Sequence, residues 1–244
     1  MSGKVLLETN NLTKTFGTRT AVDRLSLRVE EGDIYGFLGR NGSGKTTTIR
    51  MITGLVHPDA GEVLIGGVDL RTNFKAAISQ VGAIVENPVF YGYLSAYDNL
   101  CLMANLLPGV TQKRVDEVLE MVGLRNRAKD KVRAYSLGMK QRLGIANALL
   151  GDPRLIILDE PTNGLDPQGM REIKEMIAQL ASERGITFFI SSHLLHEVEQ
   201  ICTKVGIVQA GRLLAEGKVA SIVPPETTLE QFFFQVTSGT GGRG

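Results

Sequence analysis

The 244-residue sequence predicts an α/β fold: a mostly parallel sheet, an N-terminal antiparallel β subdomain and an inserted α-helical subdomain. Three observations carry this expectation. The apolar run Ile34-Tyr35-Gly36-Phe37-Leu38 enters a glycine-rich turn and then helix-forming residues from Lys45, the strand–turn–helix order of a parallel α/β unit. Leu155-Ile156-Ile157-Leu158 is apolar at every position, as a central parallel strand covered on both faces must be. Between these two strands, from Glu86 to about residue 150, the pattern is helical throughout.

The elements follow in chain order. Val5-Leu6-Leu7 and Leu25 to Val29 read as short strands, separated by a turn-rich segment at Thr18-Arg19-Thr20. After the Ile34–Leu38 strand, a helix is expected over 45–55, stopped near His57-Pro58. Glu62 to Ile65 and Val81 to Val85 are further strands. Ser95 to Leu107 has helical periodicity, with Leu94, Leu100, Leu102, Met103 and Leu106 apolar. A second helix runs from Thr111, its N-cap, to Val122, with Leu119 and Val122 inward and Gly123 as its stop. A third spans 138–150. Beyond the Leu155 strand, Met170 to Leu180 is amphipathic and Thr187 to Ser191 returns as a strand. Short elements follow Gly211, then an apolar cluster at Leu229 and Phe232-Phe233-Phe234, and a Gly-rich tail from Ser238 expected to be disordered. The division is therefore 1–85 with 151–225 as a core, 86–150 as the helical insertion, and 226–244 as a C-terminal helix and tail.

Composition narrows the function classes. Hydrophobic residues make up 43% and charged residues 22%, values of an ordinary globular chain with a sizeable core. The net charge of +1 supplies no basic field of the kind that non-specific nucleic-acid binding uses, so no nucleic acid is expected as a partner. Cys101 and Cys202 are far apart and read as reduced structural thiols. No signal-peptide pattern opens the chain and no apolar run reaches the roughly 18 residues of a membrane span, so a membrane role requires a separate subunit.

The chemistry-bearing motifs lie at strand ends. Gly39-Arg40-Asn41-Gly42-Ser43-Gly44-Lys45-Thr46 fits the phosphate-binding P-loop pattern and stands between a strand and a helix, the context that makes the match informative. Its glycines let successive backbone N–H groups curl around phosphate oxygens, and the helix N-terminus adds positive charge. Lys45 would reach the β- and γ-phosphates and the Thr46 hydroxyl would ligate Mg²⁺. Asp159 and Glu160 end the Leu155 strand, where open α/β sheets bind ligands. Asp159 suits a Mg²⁺-linked role and Glu160 a general base that orients water. Alone, such an acid pair serves equally well as the cap of a following helix, with Pro161 at its start.

With these residues in view, the sequence resembles the ABC ATPase family from about its N-terminus to residue 215. Tyr135-Ser136-Leu137-Gly138-Met139-Lys140-Gln141-Arg142 resembles the family signature, with Ser-Leu-Gly where Ser-Gly-Gly is usual. Pro161-Thr162-Asn163-Gly164-Leu165-Asp166 is similar to the D-loop, His193 to the switch histidine, and Phe16 to the aromatic residue that stacks on adenine, a place more often held by Tyr. The resemblance implies ATP and Mg²⁺ as cofactors, with Phe16, Gly39, Asn41, Gly42, Ser43, Gly44, Lys45, Thr46 and Thr47 around the nucleotide. It implies Thr46, Asp159 and Glu86 as metal contacts, and Glu160, His193 and Lys45 as catalytic residues. It also implies a homodimer in which Ser136, Gly138 and Asp166 face the nucleotide of the other copy, so that two ATP molecules are sandwiched head-to-tail.

Two positions depart from the family pattern. Glu86 stands where a Gln usually senses the metal and the membrane partner; a carboxylate is also a hard oxygen ligand, so metal contact can survive with an added negative charge, the alternative being a solvated loop acid with the coupling residue elsewhere. Arg40 replaces a frequent Pro, with little expected effect because the loop works through backbone amides. Glu86-Asn87-Pro88 with Phe90-Tyr91, and the run Tyr135 to Gly144, resemble the bacitracin and lantibiotic-immunity exporters. The resulting expectation is the ATP-hydrolysing subunit of an exporter of peptide antibiotics or similar compounds. It would act at the cytoplasmic face of the membrane with a separate permease, whose cytoplasmic helix Phe90, Tyr91 and Tyr93 are candidates to receive. The alternative is a soluble ABC ATPase of translation or DNA maintenance. Against it stand the single P-loop and a spacing too short for a long coiled coil between P-loop and signature.

Overall fold

The computed structural model describes residues 3–238. Strands β1 (Val5–Phe16) and β2 (Arg19–Glu30) form a long antiparallel hairpin, and β1 also pairs with β4 (Ala60–Ile65), which turns back into the short β5 (Val68–Asp69). This is the four-stranded antiparallel sheet, in the order β2-β1-β4-β5. The first two strands run 12 residues each, well beyond the apolar triplet and pentad that mark them in the sequence. Their outer halves bury single apolar residues, Leu12 and Val22, between polar neighbours and are held by pairing with each other, which a run of local hydropathy does not record.

The second sheet has six strands in the order β10-β9-β3-β8-β7-β6. Here β3 is Ile34–Leu38, β6 is Val81–Ile84, β7 is Leu155–Asp159, β8 is Thr187–Ser192, β9 is Lys204–Gln209 and β10 is Arg212–Lys218. The five strands from β9 to β6 are mutually parallel, and β10 adds antiparallel to β9. Both faces of β7 are covered, and its side chains divide with a period of two. Leu155 and Ile157 pack with Tyr35, Phe37 and residues of the antiparallel sheet, while Ile156 and Leu158 pack with the helices on the other side. That two-sided burial is why the strand carries no polar position before Asp159.

Helix α1 (Lys45–Ile52) follows the turn after β3 and ends three residues short of the expected boundary, because Gly54 adopts φ +73° immediately after it. A short α2 (Phe74–Ile78), capped by Asn73, was not marked by the sequence pattern. The helical insertion consists of α3 (Ala96–Ala104), α4 (Gln112–Met121) and α5 (Leu137–Leu149). Leu119 and Val122 are buried as expected, and Gly123 closes α4 with φ +67°. Thr111 precedes α4 without a side-chain capping bond. On and beyond α3, Leu102, Met103 and Leu106 are exposed; Ala96, Leu100 and Ala104, four residues apart on one face, make the packing contact instead.

Helix α6 (Pro167–Arg184) starts at the Asp166 N-cap and stops at Gly185, φ +65°. It is followed by α7 (Leu195–Glu199), α8 (Val219–Ile222) and α9 (Leu229–Ser238). Phe233 of α9 is buried in the chain's own core, whereas Phe234 is exposed. The tail beyond Ser238 lies outside the described residues. Both cysteines are free thiols, and burial pushes that of Cys202 far above its ordinary pKa.

Candidate active site

The C-terminal ends of β3, β8 and β7 lie side by side, and the site is built on them. At the end of β3 the chain must turn sharply without side-chain bulk. A Cβ on Gly39 would stand 2.4 Å from Ser43 Oγ and 2.6 Å from the Val208 carbonyl oxygen, so only glycine fits. Gly44, with φ +108°, is pressed against β2: a Cβ there would lie 2.6 Å from the Ala21 carbonyl oxygen. Between them Ser43 Oγ is buried with no hydrogen-bond partner, a hydroxyl free to donate to an anion. The loop ends in the N-terminus of α1, whose first N–H groups are unpaired within the helix.

The buried Lys45, 6% exposed, points back over this loop. Its Nζ donates to the Gly39 carbonyl at 2.8 Å and forms an ion pair with Glu160 Oε1 at 3.1 Å. The other carboxylate oxygen of Glu160 accepts from His193 Nδ1 at 2.7 Å. Glu160 thus bridges the P-loop lysine on β3's turn and the histidine that follows β8. Its backbone takes φ +51°, an uncommon conformation for a non-glycine residue, and one that clusters at functional sites.

Asp159 is buried at the end of β7. One of its oxygens accepts from Thr46 Oγ1 at 2.8 Å, and the other accepts from Ser191 Oγ. Two cis oxygen ligands of octahedral Mg²⁺ stand about 2.9 Å apart. The Thr46 hydroxyl and Asp159 carboxylate therefore already have the donor chemistry and spacing for that ion. Ser191 also accepts a hydrogen bond from Glu160 N at 3.0 Å, so one fully buried hydroxyl fixes both acids. No sequence motif singles out Ser191. The available signal is the pair of small hydroxyls, Ser191-Ser192, that ends an otherwise apolar strand after Thr187, but nothing in one dimension shows that β8 lies between β3 and β7.

Of these residues Lys45, Thr46, Glu160 and His193 line a cavity of about 410 Å³, together with Phe16, Arg19, Ala21, Asn41, Gly42, Gly44, Thr47 and Asn163, while Gly39, Ser43, Asp159 and Ser191 support it without lining it. Phe16 is half-exposed at its outer end, its ring available for stacking, with Lys14 Nζ 5.5 Å from the centroid. Arg40 points elsewhere, its guanidinium 5.9 Å from the Phe234 ring of α9. A larger cleft of about 1080 Å³ between α4 and α6 contains no P-loop residue and a mixture of acids and bases. Volume is thus no guide to the chemistry here.

Three groups of sequence-predicted residues lie apart from both the cavity and the P-loop and acid pair that support it. Glu86, at φ +69° after β6, is exposed and held in an ion pair by Arg50 of α1, apart from the Thr46–Asp159 pair. Ser136 caps α5, its Oγ accepting from Met139 N at 3.2 Å, and Gly138 lies in the first turn of that helix. Asp166 caps α6, its Oδ1 accepting from Gly169 N at 2.8 Å. Neither the signature nor Asp166 lines the cavity of its own chain.

The model of the ABC transporter family matches residues 22–163, more than half of the chain. The chain belongs to the ABC transporter ATP-binding family. YhcH, an ABC transporter ATP-binding protein of Bacillus subtilis (strain 168), is 49% identical over 233 residues, covering 96% of this chain and 76% of that one. The bacitracin transport ATP-binding protein BcrA of Bacillus licheniformis is 52% identical, covering 86% and 69% respectively. Among solved structures, an ATP-binding subunit of an ABC transporter superposes with a TM-score of 0.83 at 28% identity, covering 95% of this chain and 99% of that one. A dimeric post-hydrolysis state of the ATP-binding cassette MJ0796 bound to ADP and Pi gives 0.78 at 26% identity, covering 88% and 99%.

As an ABC ATP-binding subunit, the chain binds and hydrolyses ATP, and such subunits work with a membrane permease. Among the described residues no helix is long and apolar enough to cross a membrane.

Proposed function

We propose that the P-loop cavity is the ATPase site. The chain would act there as one half of a head-to-tail homodimer that drives a separate permease from the cytoplasmic face of the membrane. The observation that carries this reading is the Lys45–Glu160–His193 chain beside Thr46 and Asp159. Phosphates entering the loop meet backbone amides, the Ser43 hydroxyl and Lys45, whose charge is at present shared with Glu160. As Lys45 turns to the phosphates, Glu160 is freed on one oxygen while His193 continues to hold the other. A carboxylate so positioned orients a water for attack on the γ-phosphorus and accepts its proton. Thr46 and Asp159 would hold Mg²⁺, which when bound neutralises charge on the phosphate oxygens.

The dimer is supported by distance. Helix α5, which the Ser136 cap begins, is 13 residues or roughly 20 Å long, and leads from the signature to the start of β7. With the signature hydroxyl and helix N-terminus outside its own cavity, a second copy is the natural source of an anion for it. The cargo we propose is a peptide antibiotic or similar compound, exported. The similarity to BcrA and to the lantibiotic transport protein SrtF of Streptococcus pyogenes, 41% identical over 86% of this chain and 90% of that one, supports this class. The exposed Tyr91 and Tyr93, their rings 5.8 Å apart, support a permease contact at the start of the helical insertion.

Replacing Glu160 by Gln keeps the shape and removes the base. The expected result is retained ATP binding, turnover reduced at least a hundredfold, and an ATP-dependent dimer in size-exclusion chromatography with light scattering. A Glu160→Gln protein that hydrolyses ATP at the normal rate refutes the assignment of the base; one that stays monomeric in saturating Mg-ATP refutes the sandwich.

A further inference from the structure

The charge balance of the cavity points to a residue outside the recognised motifs. Among its lining residues Lys45, Glu160 and Arg19 carry formal charge, and His193 completes the titratable set. Lys45 and Glu160 neutralise each other at 3.1 Å. The remaining cation is Arg19, the first residue of β2, for which no carboxylate partner is present among the described residues. Among the described residues its guanidinium makes one hydrogen bond, a long one from Nη2 to the Gly42 carbonyl at 3.4 Å, leaving most of its N–H groups facing the cavity or solvent.

Position along the cavity is equally informative. Arg19 is the cross-strand neighbour of Phe16 in the β1–β2 hairpin, and its guanidinium reaches the Gly42 turn of the P-loop. It therefore spans the distance from the aromatic end to the phosphate cradle. The hairpin cannot drift away from the loop, because Ala21 of β2 packs against Gly44 and Gly211, and Gly211 N donates to Ser43 O at 2.9 Å. A guanidinium held there is placed for an anion next to the sugar. We propose that Arg19 is a nucleotide-binding residue whose guanidinium contacts the phosphates nearest the ribose. This contact is ionic and independent of the γ-phosphate, so it serves ATP and ADP alike. The inference rests on the P-loop reading given above.

The test uses the full chain and measures ATP, ADP and adenosine affinities by calorimetry at low and high salt, for wild type, Arg19→Gln, Arg19→Lys and Lys45→Ala. Arg19→Gln is expected to weaken ATP and ADP by about tenfold each, the scale of one charge-assisted hydrogen bond. It should leave adenosine unaffected and flatten the salt dependence of ATP binding. Arg19→Lys should stay within about threefold of wild type, and the nucleotide-free melting temperature should be unchanged in both. ATP affinity within twofold of wild type in Arg19→Gln overturns the proposal. So does an equal loss of adenosine affinity, which would move the contact to base or sugar. A lowered nucleotide-free melting temperature with no rescue by Lys overturns it too, since Arg19 would then only shape the loop. If Lys45→Ala binds ATP normally, the P-loop reading itself fails; if Lys45→Ala loses ATP while Arg19→Gln keeps it, only Arg19 is wrongly assigned.

Discussion

Replacing Ser191 by Ala tests whether the two acids at the end of β7 are positioned as a unit. The hydroxyl donates to Asp159 and accepts from the backbone N–H of Glu160, and it is completely buried. The substitution removes only this oxygen, so packing is nearly unchanged. One lost bond is to a carboxylate, of the kind worth about 1.5–3 kcal/mol. The other loss is smaller, because Glu160 N also donates to the Ser191 carbonyl at 3.3 Å and keeps that partner. The expected destabilisation is therefore about 2–3 kcal/mol by urea denaturation, or roughly 4–12 °C in Tm for a chain of this size. Turnover should fall about tenfold or more, because Asp159 and the φ +51° residue Glu160 both lose a restraint. Ser191→Thr, where the hydroxyl is kept and only a methyl is added, should recover part of the activity. A Ser191→Ala protein with stability within about 0.5 kcal/mol of wild type and normal turnover refutes the idea that this hydroxyl organises the site.

Two further substitutions probe the loop and its departure from the family pattern. Gly44→Ala should lose ATP binding and destabilise the nucleotide-free protein by about 1–3 kcal/mol, since the new Cβ meets the Ala21 carbonyl at 2.6 Å in a backbone conformation that disfavours it; calorimetric titration and urea denaturation measure both. Glu86→Gln breaks an exposed ion pair with Arg50 and should leave ATP affinity unchanged while altering permease-stimulated turnover; identical stimulated turnover and metal dependence would remove Glu86 from the coupling path.

Strand β9 carries no local signature although it pairs directly with β3, and β1 and β2 run to more than twice the length of the apolar segments that mark them. In each case the residues are held by neighbours distant in sequence rather than by local pattern. Leu102, Met103 and Leu106 fit a helical apolar spacing, yet they are exposed, because which apolar face is buried depends on where α4 and α5 lie. Motif position alone groups Glu86 with the metal contacts, while the fold pairs it with Arg50.

The sequence by itself determined the P-loop, the apolar β7 ending in Asp159-Glu160, and the identity of Lys45, Thr46 and His193 as the chemical groups. Those signals are local: a turn only glycine can make, a strand buried on both faces, and side chains whose chemistry is independent of context. Only the tertiary structure decided which of them meet. The strand order β3-β8-β7 sets His193 against Glu160 and Ser191 against Asp159, and the docking of the β1–β2 hairpin on Gly44 brings Phe16 and Arg19 to the same cavity. Those meetings join residues up to 177 positions apart (193 − 16), as in Phe16 and His193 on the one cavity, where sheet pairing rather than any local preference sets the distance.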